Sequence, residues 1–320
     1  MNIWHGLAEV PSGLAGSVVT IGVFDGLHRG HQDLVSRAVA EARRRGLPCV
    51  MVVFDPHPVS IFLHRDAPKQ LATFGERLRL AEARGVDAVL AVNFTRELGG
   101  LSPRHYFTSL LLDTLKAKAV FVGENFTFGK DAEGTAETLT ELGGEFGVEV
   151  TIVPLFKENG RVLCSSLARE ALAEGDVATA AWVLGRRFSV TAKIVHGAGR
   201  GGAELGYPTA NQYFPDSMAL PGDGVYAGLL TVLDDEDIDG DMEPGRPYAA
   251  AISVGTNPTF GEEPRSVESF VLDREADLYG HTARVEFVER VRGMEAFDSV
   301  DELLSAMAND VARTREILRG

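Results

Sequence analysis

The stretch "VTIGVFDGLHRGHQDL", Val19 to Leu34, sets His28 and His31 three residues apart in a turn between an apolar run and a helical pattern. Two imidazoles there could ligate a metal, act as a base, or donate hydrogen bonds to phosphate oxygens. The helix is expected to begin near Gln32. A helix start carries unsatisfied N–H groups and about half a positive charge, which favours an anion. Gly22, Gly26 and Gly30 would let the backbone approach that anion closely. A metal would want a third ligand, which Asp25 could supply, but the dipole repels a cation. Phosphate is the partner this context favours.

A parallel sheet is expected to position the motif. Short apolar runs alternate with amphipathic segments: "VVTIGVF" (18–24), "CVMVVF" (49–54), "AVLAVNF" (88–94), "AVFVG" (119–123) and "VEVTIVP" (148–154). Nearly continuous apolar strands separated by helices indicate a doubly wound α/β sheet covered on both faces. Ligands of such sheets gather at the carboxyl ends of the strands, where the histidine turn lies. From about Phe188 the character changes to short strands broken by Gly, Pro, Asn and Asp: "FSVTAKIVHG", "GVYAGLLTVL", "YAAAISVG", "SVESFVLD" and "TARVEFVERV". That pattern predicts an antiparallel barrel or sandwich, of which the β-barrel is the expected form, followed by a terminal helix with Ser299 as N-cap and Glu302 completing a capping box. Two domains follow, 1–185 and 186–320.

The 320 residues suffice for two cores. With 45% hydrophobic and 24% charged residues, the composition is that of an ordinary globular enzyme. A net charge of −15 argues against a nucleic-acid binder. A local cluster of Arg and N–H groups can still hold a nucleotide's phosphates. The two cysteines, Cys49 and Cys164, make no disulfide framework or paired zinc pattern. No apolar run reaches the roughly 20 residues of a membrane span, and the first residues lack a secretory pattern. A cytoplasmic enzyme is expected, and few surface features of the sequence suggest an interface, so no oligomeric state is assigned.

"GVFDGLHRGHQ" resembles the His-x-Gly-His signature of nucleotidyltransferases, which move an adenylyl group from ATP. The ordered set "GVFDGLHRGH", "FDPHP", "GENFTFG", "LGYPTAN", "GVYA", "SVGTNPTFG" and "VESFVLDREADLYG" is similar, over essentially all of the chain, to prokaryotic bifunctional riboflavin kinase/FMN adenylyltransferases, also called FAD synthetases. The resemblance implies a nucleotidyltransferase domain followed by a riboflavin kinase domain, with ATP, riboflavin, FMN and FAD as substrates and products. It implies that His28 and His31 stabilise the ATP phosphates and the transition state. Gly22, Phe24, Asp25, Gly30 and Asn125 would line the same ATP site, and His57 of "FDPHP" stands near it. The family usually shows Ile-Ser-Ser-Thr-x-Ile/Val-Arg near the end of this domain. Here "LCSSLAR" retains Ser165 and Arg169, puts Ser166 in place of Thr and Cys164 in place of the first Ser, and shifts the preceding basic residue to Arg161.

In the second half, "GAGRGGAELGYPTAN" sets a glycine-rich loop, with Gly199, Gly201 and Gly206, ahead of Pro208, Thr209 and Asn211. The resemblance implies that Thr209 and Asn211 hold Mg²⁺ and the ATP phosphates. Hydroxyl and amide oxygens are hard ligands that suit Mg²⁺. It also implies that Glu268 takes the proton of the terminal ribityl hydroxyl of riboflavin. A carboxylate is a weak base at neutral pH, so its work is to orient that hydroxyl while proton loss follows bond formation.

Three spellings are declined. "GAGRGG" fits Gly-x-Gly-x-x-Gly, but "AELGYPTAN" after it is turn-like and no strand–helix crossover follows. "GENFTFGKD" has five residues between its glycines, and Asp131 stands where a Walker loop needs Ser or Thr. "DEDIDGDMEPGR" begins like an EF-hand, but Arg246 occupies the twelfth position where Glu is needed. The expected activity is phosphorylation of riboflavin to FMN, then adenylylation of FMN to FAD. One rival is a kinase whose first domain has lost transfer, and a second is a flavin carrier without catalysis.

Overall fold

A computed structural model describes residues 1–54, 68–196, 207–256 and 265–319. The chain forms two compact units, Met1–Ser165 and Ser166–Gly320.

The first unit is built on six strands: β1 (Asn2–His5), β2 (Ser17–Gly22), β3 (Cys49–Phe54), β4 (Ala88–Val92), β5 (Ala117–Gly123) and β6 (Glu149–Val153). They pair in the order β1-β4-β3-β2-β5-β6, and every pairing is parallel. Successive side chains of a strand point to opposite faces, so each strand feeds two cores. Val19, Ile21, Val50 and Val52 enter one, with Phe107, Leu110 and Leu139 from covering helices. Val18, Met51 and Val53 enter the other, with Leu34, Val35 and Ala38. The last three lie on α1 (Arg29–Arg45), and α2 (Phe74–Ala83) covers the same face. On the other face a helix at Pro103–Tyr106 continues into a π-helical segment, Phe107–Thr114, followed after β5 by α3 (Ala136–Phe146).

The strand order makes a switch point. From β2 the chain moves outward through β3 and β4, then returns to β5 on the other side of β2. The carboxyl ends of β2 and β5 therefore flank a crevice, the place where open α/β sheets bind ligands. The apolar runs in the sequence locate five of the six strands. Asn2–His5, four residues at the sheet edge, is the one without such a run.

The second unit begins with α4 (Ser165–Ala173) and α5 (Val177–Leu184), the first straddling its boundary. Six antiparallel strands follow: β7 (Ser189–Lys193), β8 (Ala210–Tyr213), β9 (Gly224–Val232), β10 (Pro247–Gly255), β11 (Ser266–Val271) and β12 (Thr282–Gly293). The order is β7-β12-β9-β10-β11-β8. A bridge between Val195 and Asn211 brings the two edge strands together, so the sheet is a nearly closed barrel. Gln212, fully buried, reaches across this seam: its Nε2 donates to the carbonyls of Ala192 at 2.6 Å and Ala283 at 2.8 Å. Inward positions are filled by Val232, Ile252, Val254, Val267, Val285 and Phe287.

The helix α6 (Val300–Arg319) ends the chain. The Glu302 N–H donates to Ser299 Oγ at 3.2 Å, and the Glu302 carboxylate takes the N–H of Asp298. A reciprocal cap forms, shifted by one residue from the usual box. A pair between half-buried Arg292 and buried Asp310 fixes α6 on β12, with two contacts of 2.8 and 2.9 Å.

Candidate active sites

The turn after β2 is strained and heavily anchored. Phe24 and Leu27 have φ of 51° and 41°, and Gly26 between them has φ of 71°. Side chains rarely adopt that region, so such backbone persists only where its surroundings enforce it. Four bonds do so here. The Asp25 carboxylate, 6% exposed, accepts the N–H groups of Leu71 and Ala72 at 2.9 and 3.3 Å. Arg77 Nη1 donates to Val23 O at 3.2 Å, and Ser165 Oγ donates to Asp25 O at 3.0 Å.

Helix α1 starts at Arg29, three residues ahead of the expected Gln32, because His28 caps it. His28 Nδ1 accepts the N–H of His31 at 3.4 Å. An accepting Nδ1 places the proton of the neutral ring on Nε2. The two imidazoles stack with centroids 3.7 Å apart, and the buried Phe24 ring meets His31 edge-on at 5.1 Å. Burial, and then the neighbouring His28, hold the His31 pKa well below its ordinary value. His31 is therefore neutral at pH 7. Its Nδ1 is buried and has no hydrogen-bond partner among the described residues. Such a group costs about 1–3 kcal/mol, and a phosphate oxygen is a partner that would satisfy it.

Gly30 sits in close packing: a Cβ there would lie 3.1 Å from His28 Cε1 and 3.3 Å from Leu163 O, so a neighbour would have to give by tenths of an ångström. Gly22 ends β2 with the Phe24 ring against it. At the end of β5, exposed Asn125 folds back over Gly123, its Oδ1 3.1 Å from where a Cβ would lie. The switch point thus brings His28, His31 and Asn125 to one end of the sheet. Phe24 and Asp25 support the turn from inside. Ser165 spends its hydroxyl on the turn's backbone, and Cys164 beside it is half-buried. Ser166 is exposed and Arg169 half-buried on α4. His57 of "FDPHP" lies outside the described residues.

Sequence reasoning passed over one contact. Arg29, between the histidines, forms a two-pronged ion pair with Glu158 and lies over the Phe156 ring at 5.1 Å. Glu158 belongs to a hairpin, Lys157–Glu158 with Arg161–Val162, turned at Asn159-Gly160. The Asn-Gly spelling marks that hairpin, but the sequence has no signal for its partner.

In the second unit the register assembles the site. Asn211 on β8 pairs with Glu268 on β11, and Glu268 pairs with Ser253 on β10. Directly opposed residues of an antiparallel pair have Cβ atoms about 5 Å apart on one face. Asn211 Nδ2 donates to Thr209 O at 2.9 Å and lies 3.4 Å from Thr209 Oγ1. Those bonds turn the amide so that its oxygen is the group presented. Ser266 Oγ donates to Glu268 Oε1 at 2.9 Å. Ser266 stands two residues before Glu268, hence on the same face, a signal the alternation of "SVESFV" carries. Pro208 is exposed ahead of Thr209. Gly199, Gly201 and Gly206 lie outside the described residues. "TAN", expected as a turn, enters a strand at Ala210, and this strand gives Asn211 its place.

A parallel-sheet unit with a histidine-capped helix at its switch point, joined to a barrel presenting Thr, Asn and Glu oxygens, defines a two-domain transferase acting on phosphates. The FAD synthetase family model matches residues 11–167 and the riboflavin kinase model residues 184–318. A bifunctional riboflavin kinase/FMN adenylyltransferase of Escherichia coli K12 is 34% identical over 98% of this chain and 95% of its own length. The proteins of the same name from Pseudomonas fluorescens and Bacillus subtilis are 33% and 30% identical, covering 99% and 97% of this chain and 98% and 95% of theirs. A Streptococcus pneumoniae crystal structure, titled a macrolide-efflux protein, has a TM-score of 0.85 and 30% identity, covering 98% of this chain and 99% of that one. Among the described residues here, no helix is long and apolar enough to cross a membrane. The chain belongs to the family of bifunctional riboflavin kinase/FMN adenylyltransferases.

Proposed function

We propose that residues 186–320 phosphorylate riboflavin with ATP and that residues 1–185 adenylate the resulting FMN to FAD. In the first reaction the terminal ribityl hydroxyl attacks the γ-phosphorus of ATP, ADP leaves, and the hydroxyl proton passes to Glu268. Ser266 holds that carboxylate so that its other oxygen faces the hydroxyl. The Thr209 hydroxyl and the Asn211 amide oxygen are hard donors, and with Glu268 beside them they fit Mg²⁺. When bound, the ion supplies charge neutralisation to the triphosphate.

In the second reaction a phosphate oxygen of FMN attacks the α-phosphorus of ATP and pyrophosphate leaves. No protein nucleophile is needed, so catalysis rests on positioning and charge stabilisation. His28 Nε2–H and a ring nitrogen of His31 donate to the phosphates, with the helix start behind them and Asn125 across the crevice. Ser166 and Arg169 act on the phosphates as well, while Ser165 fixes the turn. The neutral state of His31 suits a donor better than a metal-free cation pair would, since two stacked imidazolium rings repel. A charge of −15 and small-molecule substrates support a cytoplasmic enzyme that engages neither nucleic acid nor membrane.

The observation that carries this reading is the half-buried, neutral His31, its Nδ1 enclosed and without a partner among the described residues, stacked on the capping His28. The test is a time course of the pure protein with riboflavin, ATP and Mg²⁺, resolved by chromatography. FMN should appear first and FAD after it. FMN supplied directly and left unconverted would reduce the chain to a riboflavin kinase.

A further inference from the structure

The acidic segment declined above as an EF-hand acquires a histidine in the fold. Asp234 and Glu236 follow β9, and His281 precedes β12, so strand pairing brings them together: Val232 opposes Ala283, and the Leu233 N–H donates to Thr282 O at 2.8 Å. Asp234 and His281 continue the inward-facing rows of Val232 and Ala283, which puts them at the rim of the barrel. The ligating atoms of Asp234, Glu236 and His281 all lie within 4.8 Å of one another.

Two features of the cluster suit a cation. His281 is 7% exposed, and its ring is aimed into the cluster, 2.7 Å from Asp234 Oδ1. Outside the cluster, its imidazole has no partner among the described residues. The segment 234–239 also carries five carboxylates, Asp234, Asp235, Glu236, Asp237 and Asp239. Among the described residues none of the five pairs with Lys or Arg, whereas the next two, Asp241 and Glu243, pair with Arg274 and Arg246. Asp234 is oriented from behind: its Oδ2 accepts the Thr282 N–H at 2.5 Å, as metal-bound carboxylates are commonly held.

We propose that Asp234, Glu236 and His281 form a site for a borderline divalent transition-metal ion of the Zn²⁺ type, tying the acidic β9–β10 connection to the start of β12. One imidazole nitrogen and two carboxylate oxygens make a donor set that selects such ions over the all-oxygen preference of Ca²⁺ and Mg²⁺. Bonds of about 2.0–2.2 Å leave a fourth position for water. Glu236 is exposed and its carboxylate has no ion-pair partner among the described residues, so its side chain can close the remaining distance. The site is distinct from the Mg²⁺ donors proposed at Thr209 and Asn211 and does not depend on the activity assigned to either unit.

The test is calorimetric titration of Zn²⁺ into chelator-treated full-length protein with millimolar Mg²⁺ present. One tight equivalent is expected. Glu236→Gln, isosteric and at an exposed position, should weaken that equivalent by about 10–100-fold. His281→Gln should remove it, and Asp235→Asn should leave it unchanged. Circular dichroism of each variant reports folding, and Glu236→Gln keeps the test decisive if the buried His281 change unfolds the barrel. Absence of a tight equivalent overturns the proposal. So does Zn²⁺ binding that survives both Glu236→Gln and His281→Gln, which would put the ion elsewhere, or equal competition by Ca²⁺, which would reveal a diffuse acidic surface.

Discussion

In the first unit the groups proposed to meet phosphate ride on a strained turn that distant residues hold, whereas in the second the proposed site residues stand on adjacent strands whose pairing alone sets them side by side. His28 keeps its position through Asp25, Arg77 and Ser165, drawn from three separate stretches of chain. Asn211 and Glu268 need only the β8–β11 register. The turn presents N–H donors and the neutral His31 ring, suited to charge developing on a phosphate. The strands present oxygens, suited to a cation and to a hydroxyl proton. A site built on a turn should be vulnerable to changes far along the sequence, and one built on register to changes in its own few residues.

The widest separation between the two should come from exchanging one reacting group in each. Glu268→Gln keeps size and removes the proton acceptor, and riboflavin phosphorylation should fall about 10²–10⁴-fold. Conversion of supplied FMN to FAD should stay within about twofold, as independent sites allow. His28→Asn is the mirror test, because Asn still caps α1 while the Nε2–H is lost. It should lower FMN adenylylation about 10²–10³-fold and leave the kinase intact. Steady-state rates with riboflavin and with FMN as separate substrates measure both. A loss of both activities from either change would mean that the two units do not work independently.

A smaller effect should follow from crowding the turn without removing a donor. Gly30→Ala drives a methyl against His28 and the Leu163 carbonyl, contacts of 3.1 and 3.3 Å. The turn must shift by tenths of an ångström, and overpacking of this kind costs about 1–3 kcal/mol. FAD formation from FMN should drop roughly tenfold, with most of the loss in kcat, since misplaced donors act on the transition state. An unchanged kcat would show that the turn has more freedom than its anchors suggest.

The strands and barrel were largely legible because burial leaves a mark on every residue of a covered strand. Cys49–Phe54 reads as six apolar residues and is buried at all six. Asn2–His5 was not legible: as a parallel edge strand it buries only Trp4 and shows neither run nor alternation. Ala210–Tyr213 was masked by the turn-forming Pro and Asn of its motif. His28 and His31 stood out through spacing and context, and the fold adds their stacking. The role of Ser165 was not available, since its partner, the Asp25 carbonyl, lies 140 positions away. Glu268 would have passed as a surface residue without the family resemblance. For the rim cluster, the acidic run was visible but His281, 45 residues beyond Glu236, was not. Local pattern reports burial and backbone shape; a pairing between distant polar residues leaves no such trace.

The neutral His31 should set a pH dependence on the first unit alone. In the unfolded chain this imidazole titrates near 6.5, while in the folded unit burial and His28 lower its pKa. Below pH 6.5 the unfolded state therefore binds the extra proton, and stability falls as the pH drops. Above that value both states are neutral and the contribution is flat. The slope can reach about 1.4 kcal/mol per pH unit for one proton. Urea unfolding followed between pH 7.5 and 5.5 should show it, and His31→Gln should flatten it. An identical slope in the variant would assign the loss to other groups.

The smallest effect separates tethering from catalysis. Arg29 and Glu158 join the start of α1 to the 157–162 hairpin, but their side chains are 28% and 36% exposed. Pairs so open to water contribute about 0–1 kcal/mol. Glu158→Gln should thus lower FMN adenylylation by only a fewfold, and raising the salt should shrink the difference between variant and parent as screening removes what the pair provides. The Arg29 guanidinium also rests on Phe156, so Arg29→Lys should do more harm than Glu158→Gln: it loses the two-pronged geometry and the stacking together. If Glu158→Gln instead matched the His28→Asn loss, the pair would have to hold Arg29 against the reacting phosphates, and the turn would owe its alignment to the hairpin more than to Asp25.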